Sequence, residues 1–176
     1  QMDTLAETAV QNAGASQEDA DLIAQVVAVV SDEVVNTIME EVSKTSTDEK
    51  QTLSAQVLKA IVDSDSGKID IINDDVKDTM IAQTIVSAQN QQEGTGVQQT
   101  QDMTSIISDI IVNTNTETGS KMIEEVSKTS IDDKQTLSAK VLQAIVDSDS
   151  GKIDIINDDV KDTMISQTIL SAQNQQ

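Results

Sequence analysis

The sequence predicts an all-α protein of two tandem helical modules, each about 84 residues long with three to four helices. Three observations predict it. Residues 38–92 and 122–176 align without gaps at an offset of 84, and 47 of the 55 paired positions are identical; self-similarity at a fixed period is the signature of a repeat architecture. Within each copy, apolar residues recur at helical spacing. Between these stretches lie short tracts of Asp, Ser, Asn and Gly, which favour turns and caps over continuation. The many Val, Ile and Thr residues lower helix propensity and suit strands, but the four-residue spacing outweighs them.

The first helix is expected near 17–30. Ser16 can cap it, and Glu18 and Asp19 in its first turn complement the helix dipole. Leu22, Val26, Val30, Val34 and Ile38 recur every four residues, with Ile23, Val27, Val35 and Met39 widening the stripe. In the second copy the tract Asn113 to Gly119 interrupts this rhythm. The spacing therefore predicts two helices, near 17–30 and 32–44, with a continuous helix in the first copy as the alternative. A third helix is expected over about 48–62, opened by Thr47, with Leu53, Val57, Leu58, Ile61 and Val62 on one face. The DSDSG tract stops it. In KIDIIN, Ile69 and Ile71 alternate with Lys68 and Asp70, as in a short half-buried strand; DSDSGKIDIIN thus reads as a turn and strand before the last helix. Asn73 can cap that helix, expected over about 74–89 with Val76, Met80, Ile81, Ile85 and Ala88 on its apolar face.

The expected domains are a module over 13–92, a polar linker over 93–100 and a second module over 101–176. Residues 1–12 resemble the DTMIAQTIVSAQN stretch (Asp78 to Asn90) and read as the tail of a preceding repeat; an ordinary helix of Thr, Ala and Glu is the alternative. Gln1 opens the sequence without an initiator Met or a signal-like apolar stretch, as in an excised or processed piece. Upstream of the uniform part the copies diverge: over 17–37 against 101–121 only three of 21 positions match.

Composition narrows the chemistry. Only thirteen residue types occur, with no Arg, His, Cys, Pro, Phe, Tyr or Trp. A Ser-His-Asp triad, a thiolate nucleophile and a nitrogen or sulfur metal site are thereby excluded. No guanidinium can clamp a phosphate, and no ring can stack a sugar or base. Lysine supplies all 11 cations against 31 carboxylates, for a net charge of −20. That balance repels nucleic acid and anionic membranes and suits solubility, self-repulsion and cation binding. No apolar run approaches the roughly 20 residues of a membrane span, so neither nucleic-acid binding nor membrane insertion is expected. The chain reads as a non-enzyme.

One tract has the chemistry of a site. Asp63-Ser64-Asp65-Ser66-Gly67-Lys68 recurs as Asp147-Ser148-Asp149-Ser150-Gly151-Lys152, with Asp74 and Asp158 close behind. Calcium is a hard cation taking six to eight oxygens, so alternating carboxylates on a glycine turn are apt. Asp63, Asp65, Ser66 and Asp74 are the candidate ligands in the first copy, and Asp147, Asp149, Ser150 and Asp158 in the second. In outline the tract resembles an EF-hand or dockerin-type loop, which would imply calcium bound between two helices. It departs from that pattern: counting from Asp63, Gly67 is fifth rather than sixth and Ile69 seventh rather than eighth, and in the other register Asn73 replaces the bidentate acid. Caps and turns explain the same residues without a metal.

The leading expectation is a structural repeat of a long acidic protein that is secreted, surface-exposed or filament-forming. It would associate with itself or with neighbouring modules, with calcium stiffening the DSDSG loops. A calcium-responsive binding module and an intracellular self-assembling filament are the alternatives. An extracellular or cell-surface location follows from the first reading.

Overall fold

A computed structural model describes residues 4, 8, 10, 16–45, 51–93, 102–129 and 136–174. Among them are eight α-helices, two 3₁₀ turns and no strand. The helices are α1 (Gln17–Val29), α2 (Asp32–Thr45), α3 (Gln51–Asp63), α4 (Asp74–Glu93), α5 (Met103–Asn113), α6 (Thr116–Thr129), α7 (Thr136–Asp147) and α8 (Asp158–Asn174). The 3₁₀ turns, Lys68–Ile71 and Lys152–Ile155, precede α4 and α8. The chain divides into two compact units, Gln1–Thr84 and Ile85–Gln176, with the boundary inside α4.

In the first unit, Ser16 accepts from the Asp19 N–H and opens α1 as its sequence predicts. The helix stops at Val30, whose backbone is extended, so α1 and α2 are two separate helices. Ala20, Ile23, Ala24 and Val27 form the buried face of α1, which packs chiefly on α3. This corrects the expected stripe, because Leu22 and Val26 are exposed. The small Ala20 and Ala24 let the backbones approach, so the face that contributes fewer carbon atoms is the one that packs. Helix α2 buries Val35, Ile38, Met39 and Val42 at i, i+3, i+4 and i+7. Helix α3 is the centre of the unit: Leu53, Val57, Leu58, Ile61 and Val62 are all buried, as are Ser54, Ala55 and Ala60. Full burial of one such leucine is worth about 1.5–3 kcal/mol. The Thr47 cap expected for α3 lies outside the described residues.

The strand expected in KIDIIN is a 3₁₀ turn. Gly67 adopts the left-handed conformation (φ 71°), reverses the chain, and accepts from the Asp70 N–H at 3.2 Å. The three-residue period of this turn buries Ile69 and Ile72 instead of the alternating pair Ile69 and Ile71. Asn73 accepts from the Lys77 N–H through its carbonyl at 2.9 Å and begins α4. Met80, Ile81, Ile85 and Ala88 of α4 are buried and Val76 is partly so. The helix continues to Glu93, the first residue of the expected linker; the remainder of that linker lies outside the described residues.

The second unit contains α5 to α8. Asp102 caps α5 through its carboxylate on the Thr104 N–H (3.0 Å). Asn115 accepts from the Thr118 N–H at 2.8 Å near the start of α6. Helix α5 packs on α7 and α6, and α8 packs on α7 and α6. Its core holds Met103, Ile107, Ile111, Met122, Ile123, Val126, Leu137, Val141, Ile145 and Met164.

Candidate functional site

Each DSDSG loop is a helix stop built from its own residues. Ser64 Oγ donates to the Ile61 carbonyl (2.7 Å), and the Ser64 and Asp65 N–H groups close on Ala60 and Val62 (3.0 and 3.2 Å). Asp65 is left-handed at φ 52°, a conformation Asp tolerates better than most residues. With its proton on that carbonyl, Ser64 Oγ accepts from Ser66 Oγ at 3.1 Å, and Ser66 Oγ accepts from the Lys68 N–H at 3.4 Å. The second loop matches: Ser148 Oγ reaches Ile145 O at 2.6 Å and Ser150 Oγ at 3.0 Å, and Asp149 has φ 52°.

The carboxylates named as calcium ligands lie on three different elements or edges of this turn. Asp63 ends α3 and pairs with Lys59 one turn back; at the equivalent of Lys59 the second copy has Gln143. Asp65 and Asp149 stand on the turn, while Asp74 and Asp158 begin α4 and α8, and all of these are exposed. Lys161 approaches Asp158 at 3.7 Å. Ser66 and Ser150 serve the turn. The donor atoms suit a hard cation, but among the described residues no three acidic side chains converge as a metal site.

Three polar devices around these loops were not singled out by sequence patterns. Lys68 Nζ reaches back to the Val30 carbonyl at the end of α1 (3.1 Å) and to Asp32 Oδ1 (3.2 Å); Lys152 does the same to the Thr114 carbonyl at 2.9 Å. A lysine at a helix C-terminus satisfies an orphan carbonyl and complements the dipole. Gln83 of α4 accepts from Ser54 Oγ of α3 (2.6 Å) and donates to the Ser43 carbonyl of α2 (2.8 Å). Gln167, Ser138 and Ser127 repeat that three-helix staple at 2.6 and 2.9 Å. Asn36 is confined to the first copy: it accepts from the Asn73 N–H (2.8 Å) and donates to the Ile71 carbonyl (3.0 Å), where the second copy has Ser120. The recurring Lys and Gln were visible as identical positions, but identity across 47 positions does not single them out.

On the surfaces, Glu40 and Lys44 pair at 3.0 Å, as Glu124 and Lys128 do at 2.9 Å, both at the expected i, i+4 spacing. Donating a hydrogen bond to the Glu40 carboxylate raises the Lys44 pKa, and Glu124 does the same for Lys128. Large apolar side chains are exposed on α1 (Leu22, Val26, Val29), on α7 (Val146) and on α8 (Ile165, Ile169, Leu170). No helix among the described residues is long and apolar enough to cross a membrane. Comparison with protein-family models, curated proteins and solved structures gives no match to this chain.

Proposed function

We propose that the chain is a non-enzymatic structural segment of a long acidic protein, built from tandem helical repeats and acting through self-association. The observation that carries this reading is the exposure of Leu22, Val26 and Val29 on α1 and of Ile165, Ile169 and Leu170 on α8. Large apolar side chains grouped on a surface mark interaction sites, and the near-identity of the copies supports a partner made of the same material. The composition supports a non-enzyme, since no histidine, thiol or guanidinium is present for catalysis. A secreted, surface or filamentous setting is part of the proposal and rests on the acidic, restricted composition.

Cations enter as general neutralisers of the −20 charge. Loop hydroxyls are engaged within the turn and the loop carboxylates are exposed, so tight, calcium-specific ligation forms no part of the proposal. Light scattering on the chain across concentration and sodium chloride tests it: mass should rise with both. A monomer under all conditions sinks it. Calcium should add no more than an equal ionic strength of sodium or magnesium; heat of binding with a gain in helix at micromolar calcium would restore the metal reading.

A further inference from the structure

The two copies of the repeat carry nearly the same residues but do not bury them alike. On α4, Ile81 and Ile85 are 1% and 0% exposed; the identical residues on α8, Ile165 and Ile169, are 44% and 54% exposed. Ala88 is buried and its equivalent Ala172 is exposed. Val62, at the end of α3, is buried while Val146, its equivalent on α7, is 58% exposed. Nearer the start of the repeat the inequality reverses. Ile106 and Ile110 of α5 are 4% and 0% exposed, whereas Leu22 and Val26, which occupy those positions on α1, are 60% and 47% exposed. Each of these two apolar faces is therefore buried in one copy of the repeat and bare in the other. On α8 chemistry cannot explain the difference, because the isoleucines are the same.

We propose that the bare α8 face of one chain binds the bare α1 face of a second copy of the same chain, head to tail. This rests on the self-association proposed above and assigns its surfaces and polarity. The occupant is argued from the repeat itself: both faces consist of positions that this sequence buries elsewhere in its own length. The two faces differ in residues and in helix, so the contact is heterologous. A chain bound through its α8 face keeps its α1 face free, and its partner keeps a free α8 face, so association continues as an open filament unless the rotation closes a ring. A pairing of α8 with α8 would instead stop at a dimer.

Charge sets the conditions. Glu18 and Asp21 flank the α1 face and Asp159 and Asp162 flank that of α8, all exposed. Contact brings like charges together, so added salt, by shortening the screening length to about 3 Å at 1 M, should strengthen association. A contact held by opposite charges would weaken.

Two full-length variants test the assignment. Leu22→Asp with Val26→Asp spoils only the α1 face, and Ile165→Asp with Ile169→Asp only that of α8. All four side chains are exposed, so helix content by circular dichroism should match the parent. In sedimentation and light scattering at high salt, the parent should give a ladder of oligomers. Each variant alone should be monomeric, with association weakened about 100-fold or more. Their equimolar mixture should form dimers and stop there, because one good α8 face meets one good α1 face. A variant that still assembles like the parent, or a mixture that stays monomeric, overturns the assignment of faces while leaving self-association in place. A parent that is monomeric throughout overturns both.

Discussion

The first halves of the two repeat copies share three of 21 positions, yet both build a capped helix, a stop and a second helix. The second halves share 47 of 55, yet bury the same side chains to different extents. Pattern and capping are enough to make the helices, and many residue choices satisfy them. Burial of a helix face is decided by what lies against it, which the residues of that face do not encode. Identity and environment therefore vary independently along this chain.

The sharpest way to break that comparison is to cut the same side chain in both copies. Ile85→Ala should cost about 3 kcal/mol, from lost burial and a residual cavity, whereas Ile169→Ala should stay within about 0.5 kcal/mol in the monomer. Urea unfolding followed by far-ultraviolet circular dichroism reads both, and equal costs would remove the contrast. The polar staple should behave the opposite way. Gln83→Ala and Gln167→Ala each remove a partner of a buried serine hydroxyl and of a helix-end carbonyl. Each should cost about 1–2 kcal/mol in the same assay, alike in both copies.

A smaller effect is expected at Asn36, a polar device the copies do not share. Asn36→Ser installs the residue of the second copy and should cost about 1 kcal/mol. Faster amide exchange should be confined to the Lys68–Ile71 turn and the start of α4. No change in exchange there would show that the turn is held by Gly67 and Lys68 alone. The smallest effect is at the surface. The folded pKa of Lys44 is raised above its ordinary value by Glu40, so its contribution is present below the ordinary lysine pKa and is lost as pH rises through the raised one. Lys44→Met and Lys128→Met should lower the urea midpoint slightly and equally near neutral pH. The difference from the parent should vanish in strongly alkaline buffer.

Much of the helical fold was legible because caps and spacing act locally. Ser16, the DSDSG stop and the face of α3 stand where the residues alone place them. The core face of α1 was not legible, because Leu22 and Val26 make as good a stripe as Ile23 and Val27. Only the approach of α3 to Ala20 and Ala24 chooses between them. The turn at Lys68–Ile71 was misread because Ile69, Ile71 and Ile72 fit a period of two as well as one of three over so short a stretch. The acidic loops announced oxygen donors, but whether carboxylates converge depends on the left-handed turns at Asp65 and Gly67 and on where α4 begins. The Gln83 staple left no pattern, since its partners lie 29 and 40 residues away.

The boundary between compact units falls between Thr84 and Ile85, inside α4, although the copied text runs on to residue 92. The copied stretch and the compact unit thus end at different residues. For a sequence of fixed period this mismatch is harmless to inheritance: a crossover anywhere in the repeat that restores the 84-residue phase yields whole periods in the interior of the product. Copy number can then grow or shrink without a privileged breakpoint.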